Sequence, residues 1–356
     1  MKKKIISALM AALVVGVASP TFAAEIDDQV KELRDRVTEL ERDSQYNRNR
    51  VAELERDNQY NRNRVAELED EIAERNSNDW SDRFSVNGEM RFRFWNLKNQ
   101  ADRTRMELRI LPTMQINDNI ALKARFTGWY ENMNDDANSQ WRMNFAYFDA
   151  NYDQFNVQAG KMPLFTNVDN GMIADDFFSG VHGGVSNGNL NFGVNLGHWN
   201  VGGHYAGGEA IYTSDDEQMN VGVGYHYFKN GGVKNNIIAV GGGYQVTEDI
   251  KVSGAYAHNS KANNKKNAYN IEGTYLGADR HEKGTWGAYA AYRYVPRTVG
   301  LAPTYDTFKT DNKKGFEFGG DWTPVENTLL KASYFHGKTF DHVNDRTFFA
   351  RASFFF

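Results

Sequence analysis

Two periods divide the chain. Over residues 26–75 apolar positions recur every three and four residues, and over residues 80–356 they recur every second residue. With Val30 at heptad position a, the a/d series runs Val30, Leu33, Val37, Leu40, Ser44, Asn47, Val51, Leu54, Asn58, Asn61, Val65, Leu68, Ile72. That series predicts a left-handed coiled coil interrupted by two polar layers, Ser44/Asn47 and Asn58/Asn61. The repeat is carried by two nearly identical units, VTELERDSQYNRNR from Val37 and VAELERDNQYNRNR from Val51, and a third begins at Val65. In a parallel, in-register coil the facing charges are Arg36 with Glu41, Asp43 with Arg48, Arg50 with Glu55, Asp57 with Arg62 and Arg64 with Glu69, all opposite in sign. Such exposed pairs contribute only ~0.3–0.5 kcal/mol each, so they select orientation and register rather than supply stability. Valine at a with leucine at d leans toward two strands.

The second period is that of half-buried β-strands. Val86, Met90, Phe92 and Phe94 alternate with Asn87, Glu89, Arg91, Arg93 and Trp95; Met106, Leu108, Ile110 and Met114 alternate with Arg105, Glu107, Arg109 and Gln115. After Asn117-Asp118-Asn119, the residues Ile120, Leu122, Ala124 and Phe126 alternate with Lys123, Arg125 and Thr127. A soluble barrel would want its apolar face inside, with no place for the arginines. A membrane barrel places them in a wet lumen, because arginine on the lipid face near the midplane costs ~2–4 kcal/mol. The predicted fold is therefore an all-β transmembrane barrel of antiparallel strands over residues 80–356, preceded by a parallel coiled-coil helix over residues 24–79. We count about 16 strands, or 14 if Asn187–Glu217 forms one long strand rather than two short ones.

The last residues, RTFFARASFFF, place Phe348, Ala350, Ala352, Phe354 and Phe356 on one face and Arg351 and Ser353 on the other. This suits the closing strand of a barrel, with Phe356 resembling the terminal signal read by the outer-membrane assembly machinery. Short turns such as Val246–Asp249 and Pro324–Asn327 suit the periplasmic end, and polar stretches such as Asn259–Lys266 and Val295–Lys314 suit the outside. Trp80, Trp129, Trp286 and Trp322 are expected in aromatic girdles.

The address agrees. Lys2-Lys3-Lys4, an apolar run from Ile5 to Ala18, and Ser19-Pro20-Thr21-Phe22-Ala23 read as a secretory signal peptide over residues 1–23. No later stretch approaches the ~18 consecutive apolar residues of a membrane helix. The chain has no cysteine, so no disulfide supports it, and its net charge of −5 carries no nucleic-acid footprint. The expected location is the outer membrane, with the stalk in the periplasm.

Residues Lys161–Val181 break the alternation and carry Pro163, Asp169, Asp175 and Asp176. We expect an inward-folding constriction loop over residues 163–180. Its carboxylates would face a basic wall of Arg91, Arg93, Arg105, Arg109, Lys123, Arg125, Arg142 and Lys161 and set up a transverse field.

The heptad stalk, the first strands DRTRMELRILPTMQINDNIALKARF, the AGKMPLF and DDFFSGV segments of the loop, and the terminal phenylalanine together resemble the outer-membrane porins of the diderm Firmicutes, the OmpM-like type. The resemblance implies a homotrimer, embedded in outer-membrane lipid, that passes small hydrophilic solutes and ions by passive diffusion. Those porins often carry an S-layer-homology domain before the stalk. This sequence reads as lacking one, so wall tethering does not carry over.

Enzyme chemistry is not expected. Ser179 and His182 fall on opposite faces of a strand without an acid partner, no histidine spacing matches a metal motif, and the glycines of Val240–Tyr244 sit within an alternating strand rather than before a helix. Neither a cofactor nor a metal is expected. Two other functions compete with the porin. One is a structural protein whose stalk spaces or tethers the outer membrane to the cell wall. The other is a trimeric autotransporter-like adhesin, whose anchors contribute only four strands per chain.

Overall fold

The computed structural model describes residues 20–77, 80–98, 100–131, 139–200, 202–308 and 312–356. Most of the expected signal peptide lies outside them, as does the side chain of Trp80. The chain forms two units, divided between Asp79 and Trp80.

The first unit is one helix, α1 (Pro20–Ser77), of 58 residues. Its length is about 87 Å at ~1.5 Å per residue. Leu33, Val37, Leu40, Val51, Leu54, Val65 and Leu68 stand exposed along it. Within the single chain, the expected interchain charges find local partners: Arg64 pairs with Glu67 at 3.3 Å, and Arg48 donates to Ser44 Oγ at 3.2 Å.

The second unit begins with a short helix, α2 (Trp80–Arg83), and continues as sixteen strands. These are β1 (Phe84–Leu97), β2 (Arg103–Asn117), β3 (Ile120–Glu131), β4 (Ser139–Tyr152), β5 (Phe155–Phe165), β6 (Asp175–Asn187), β7 (Leu190–Trp199) and β8 (His204–Thr213). The second half comprises β9 (Met219–Asn230), β10 (Val233–Gln245), β11 (Ile250–Asn259), β12 (Asn267–Leu276), β13 (Trp286–Val295), β14 (Lys313–Trp322), β15 (Thr328–Thr339) and β16 (Asn344–Phe355). Each strand pairs antiparallel with its sequence neighbours, and β16 pairs with β1 to close the barrel. The seam runs in unbroken register from Glu89 opposite Phe355 to Leu97 opposite Thr347. Beyond it, Gly88 N–H donates to the Phe356 carbonyl at 2.7 Å, and Phe356 N–H donates to the Gly88 carbonyl at 3.1 Å. The stretch Asn187–Glu217 is two strands, β7 and β8, so the count is sixteen rather than fourteen. Their four-residue connection turns on Gly202 and Gly203, both at positive φ.

The predicted faces emerge with the expected sense. Val86, Met219, Val221, Val223, Ile250, Val252, Phe316, Phe318, Phe348 and Phe354 are exposed on the outer wall, and Trp286 and Trp322 lie side by side there. Glu89, Glu107, Arg293, Glu317 and Phe349 are buried on the inner side. Trp129 corrects the girdle assignment. It is the Cα partner of inward Glu107, and the Arg142 guanidinium lies over its ring at 4.2 Å. Its parity is that of Arg125 and Thr127, which outweighs aromatic character.

Two connections turn inward. Pairing between β4 and β5 ends at Ala146–Lys161, while β5 and β6 stay paired up to Phe165–Asp175. The tip of this hairpin therefore leaves the wall, and the irregular part of the segment is 166–174. The connection between β13 and β14, expected to lie outside, also folds in. It meets the hairpin through Asp175 N–H to Ala302 O at 2.7 Å, Leu301 N–H to Ile173 O at 2.9 Å and Thr304 N–H to Gly171 O at 3.0 Å. Val168, Met172, Ile173 and Ala174 of the first loop share a buried cluster with Val299 and Phe308 of the second and with Phe178, Tyr205, Phe228 and Phe335 of the strands. The polar stretch 296–308 thus owes its place to a few apolar residues spaced without any period.

One backbone approach is unusually close. At the β6–β7 pair Gly180–Gly197, a Cβ on Gly180 would overlap the Leu196 carbonyl oxygen and one on Gly197 that of Ser179. Gly183, three residues on, has open space where its Cβ would be. Urea unfolding in detergent should show Gly197→Ala destabilised by about 1–3 kcal/mol, and Gly183→Ala changed by less than about 0.5 kcal/mol.

Candidate functional site

The barrel encloses a cavity of about 970 Å³ whose lining is mostly charged. Alternation on β1, β2 and β3 delivers Arg91, Arg93, Arg109 and Arg125 to it, and later strands add Lys251, Arg293, Lys331 and Arg351. Facing them are Asp175 and Asp176 at the hairpin tip, Asp306 of the second loop, and Glu272, Glu317 and Asp321 of the wall. Pro163 and Phe177 put the hairpin itself on one side of this space.

The basic wall is clamped by carboxylates of its own strands. Glu107 accepts from Arg93 at 3.0 Å and Arg109 at 3.1 Å; Glu89 pairs with Arg91 and, at 3.7 Å, with Arg109. Partial burial makes an uncompensated guanidinium costly, and interleaved acids satisfy much of the ladder. Arg125 differs. It makes no ion pair among the described residues and lies instead between the rings of Phe145 at 5.0 Å and Phe177 at 4.9 Å.

The other expected basic residues sit apart from this cavity. Arg105 pairs with Glu131 and Glu107, Lys123 with Asp149 at 2.5 Å, and Arg142 stacks on Trp129 and donates to Gln140 at 3.3 Å. Lys161 is the register partner of Ala146 and Ser179, where the hairpin departs, and lines neither this cavity nor the smaller one beside it.

The three loop aspartates also separate. Asp175 lines the cavity and accepts from Thr304 Oγ1 at 2.7 Å; Asp176 lines it and lies 3.5 Å from Asn200 Nδ2. Asp169 does not face the arginines. It is fully buried, its Oδ1 accepting from Thr166 Oγ1 at 2.7 Å and Ile173 N–H at 2.9 Å, while its Oδ2 finds no hydrogen-bond donor. Glu209 on β8 accepts from the backbone N–H groups of Asn167 at 3.1 Å and Val168 at 3.2 Å and so fastens the loop to the wall. Together with His226 on β9, Asp169 and Glu209 bring three potential metal-ligating atoms within 4.8 Å of one another. Histidine spacing in the sequence carries no trace of this group. Its members come from a loop and two strands.

Beyond the basic ladder, Arg293 organises a second network. It donates to Asn270 at 2.6 Å, Glu272 at 2.8 Å and Glu317 at 3.3 Å, and its guanidinium lies 3.7 Å from the Tyr305 ring centre. Glu317 also accepts from Tyr289 at 2.7 Å and from Thr307. Asp306 pairs with Arg351 at 3.6 Å and Lys331 at 3.7 Å, and its carbonyl accepts from Trp95 Nε1 at 3.1 Å. Strand parity marks Arg293 and Glu317 as inward. Tyr305 and Asp306 sit in the irregular loop, where no period reaches.

No protein-family model matches the chain, and no curated protein matches it either. Solved structures do. Two engineered variants of the porin of Rhodopseudomonas blastica each align over 77% of this chain and 100% of their own, at 14% identity and a TM-score of 0.54. A structure titled "Asymmetric conductivity of engineered proteins" aligns over the same shares at 14% identity and 0.53. The fold is a sixteen-stranded porin barrel. At this identity the likeness concerns architecture.

The Arg293 network yields a direct test of how the second loop is held. Arg293→Met leaves Glu272 and Glu317 without their cation, and breaking a buried pair from one side costs about 3–5 kcal/mol. Chymotrypsin should then cut at Tyr305 or Phe308 in the folded barrel, where the parent protein resists.

Proposed function

We propose that this chain is a trimeric outer-membrane porin that admits small hydrophilic solutes and ions by passive diffusion. The observation that carries the reading is a charged cavity inside a closed barrel whose outer wall is apolar. An apolar exterior suits lipid, and an interior crowded with arginine, lysine and carboxylate suits water and ions. The inward hairpin narrows the lumen, and its Asp175 shares the cavity with Arg125. The basic wall acts mainly through Arg125, because the other cavity arginines of the first strands, Arg91, Arg93 and Arg109, share Glu89 and Glu107. The cavity counts eight basic against six acidic lining residues, so weak anion preference follows.

Trimerisation in this reading comes from α1 and the barrel walls. The exposed stripe of Leu33, Val37, Leu40, Val51, Leu54, Val65 and Leu68 is covered by two further copies in a parallel coil, with Ser44, Asn47, Asn58 and Asn61 as register-setting polar layers. Residues 1–23 direct secretion, Phe356 marks the chain for barrel assembly, and the stalk stands in the periplasm within reach of the cell wall. The same 58-residue helix supports a structural tether as the second reading. The adhesin arrangement does not suit a chain that closes sixteen strands alone.

Planar-bilayer recording of the mature protein tests the pore. Conductance should rise in groups of three steps, with a reversal potential on the anion side in a salt gradient. Arg125→Gln should move that potential toward cations and Asp175→Asn toward anions; insertion without conductance would overturn the proposal. Deleting residues 26–75 separates the two readings, since loss of permeation with an intact envelope supports the pore and detachment of the outer membrane supports the tether.

A further inference from the structure

The loop-to-wall junction holds more donor chemistry than a structural latch requires. Asp169 comes from the inward loop, Glu209 from β8 and His226 from β9. His226 Nε2 lies 3.7 Å from Glu209 Oε1, and the three donor atoms fall within 4.8 Å of one another. Asp169 is 0% exposed and His226 1% exposed, and both Asp169 Oδ2 and His226 Nε2 lack a hydrogen-bond partner. Buried polar atoms are almost always satisfied, so two orphans on side chains of one donor group call for a missing partner. Among the described residues no lysine or arginine forms an ion pair with either carboxylate. The like charges therefore have only His226 beside them.

We propose that Asp169, Glu209 and His226 form a binding site for a divalent transition-metal ion, zinc in the first instance, that fastens the inward loop to the barrel wall. One imidazole and two carboxylates are a common donor set for such ions, whereas calcium and magnesium favour oxygen alone. Bonds of ~2.0–2.2 Å in tetrahedral array separate neighbouring donors by about 3.4 Å. The Glu209–His226 pair, at 3.7 Å, is near that spacing, and Asp169, within 4.8 Å of both, closes on it by a side-chain adjustment of at most about 1.4 Å.

The surroundings are arranged accordingly. Tyr205 Oη lies 3.1 Å from His226 Nδ1. With the Nδ1 proton donated to that oxygen, Nε2 keeps its lone pair for a metal. Glu209 is held by the loop N–H groups of Asn167 and Val168. Gly224, the β9 partner of Glu209, leaves the space beside them open; a Cβ there would stand 3.0 Å from His226 Nε2 and 3.6 Å from Glu209 Oε1.

Titration of the full mature protein in detergent with cobalt(II), followed by zinc(II) competition, tests the site. The expected result is one equivalent of cobalt per chain, with visible ligand-field bands that zinc erases. H226Q and D169N should each abolish those bands, and Tyr205→Phe should weaken cobalt binding about 10-fold. Two other histidines, His198 and His204, lie with ring centres 4.7 Å apart on exposed strand ends and offer a competing surface site. H198Q/H204Q should leave the bands unchanged. Heat-modifiable electrophoretic mobility verifies that each variant folds, and D169N, in a loop, serves if H226Q does not. Absence of cobalt uptake by the parent protein, uptake indifferent to D169N, or loss of the bands in H198Q/H204Q would each overturn the assignment. The site is independent of the permeation reading, because binding is read without conductance.

Discussion

Closure of the sheet on itself is the constraint from which the rest of this structure follows. An open sheet leaves a row of unpaired N–H and C=O groups on each edge strand, and pairing the first strand with the last removes both edges. The two strands pair over the whole register from Glu89–Phe355 to Leu97–Thr347, with Gly88 and Phe356 completing the seam. Once closed, the sheet has one face toward the surroundings and one toward its own lumen. The alternation of apolar and charged residues along sixteen strands then becomes an apolar wall around a charged interior.

That interior is not a bare basic surface. Arginines on β1 and β2 are interleaved with Glu89 and Glu107, and Arg293 is shared by Glu272 and Glu317. Buried charge of this density persists because nearly every cation has a carboxylate within reach. Arg125 instead is held by the aromatic rings of Phe145 and Phe177 and leaves its charge available to the cavity.

The narrowing of the lumen is cooperative between two loops distant in sequence. The β5–β6 hairpin tip lies against the connection between β13 and β14, and Asp175 and Thr304, 129 residues apart, share a hydrogen bond. Glu209 fastens the same hairpin from the other side. The shape of the cavity therefore depends on contacts among loops as much as on barrel size.

The sequence by itself determined the architecture, because period-two alternation states which side chains face outward and which face the lumen wherever a strand runs straight. Arg91, Arg93, Arg109 and Arg125 reach the cavity for that reason, and Arg293 and Glu317 were equally legible from their parity. Trp129 shows the rule's strength: its parity places it inward despite its aromatic ring. The strand count wavered only at Asn187–Glu217, where a four-residue glycine turn separates two short strands. Tertiary structure alone decided the fate of the loops. Asp169 turns away from the arginines toward Glu209 and His226, Lys161 stays at the hairpin's departure point, and residues 296–308 fold inward. A loop's pose is set by hydrogen bonds and apolar contacts to residues far along the chain, and local periodicity carries no record of those partners.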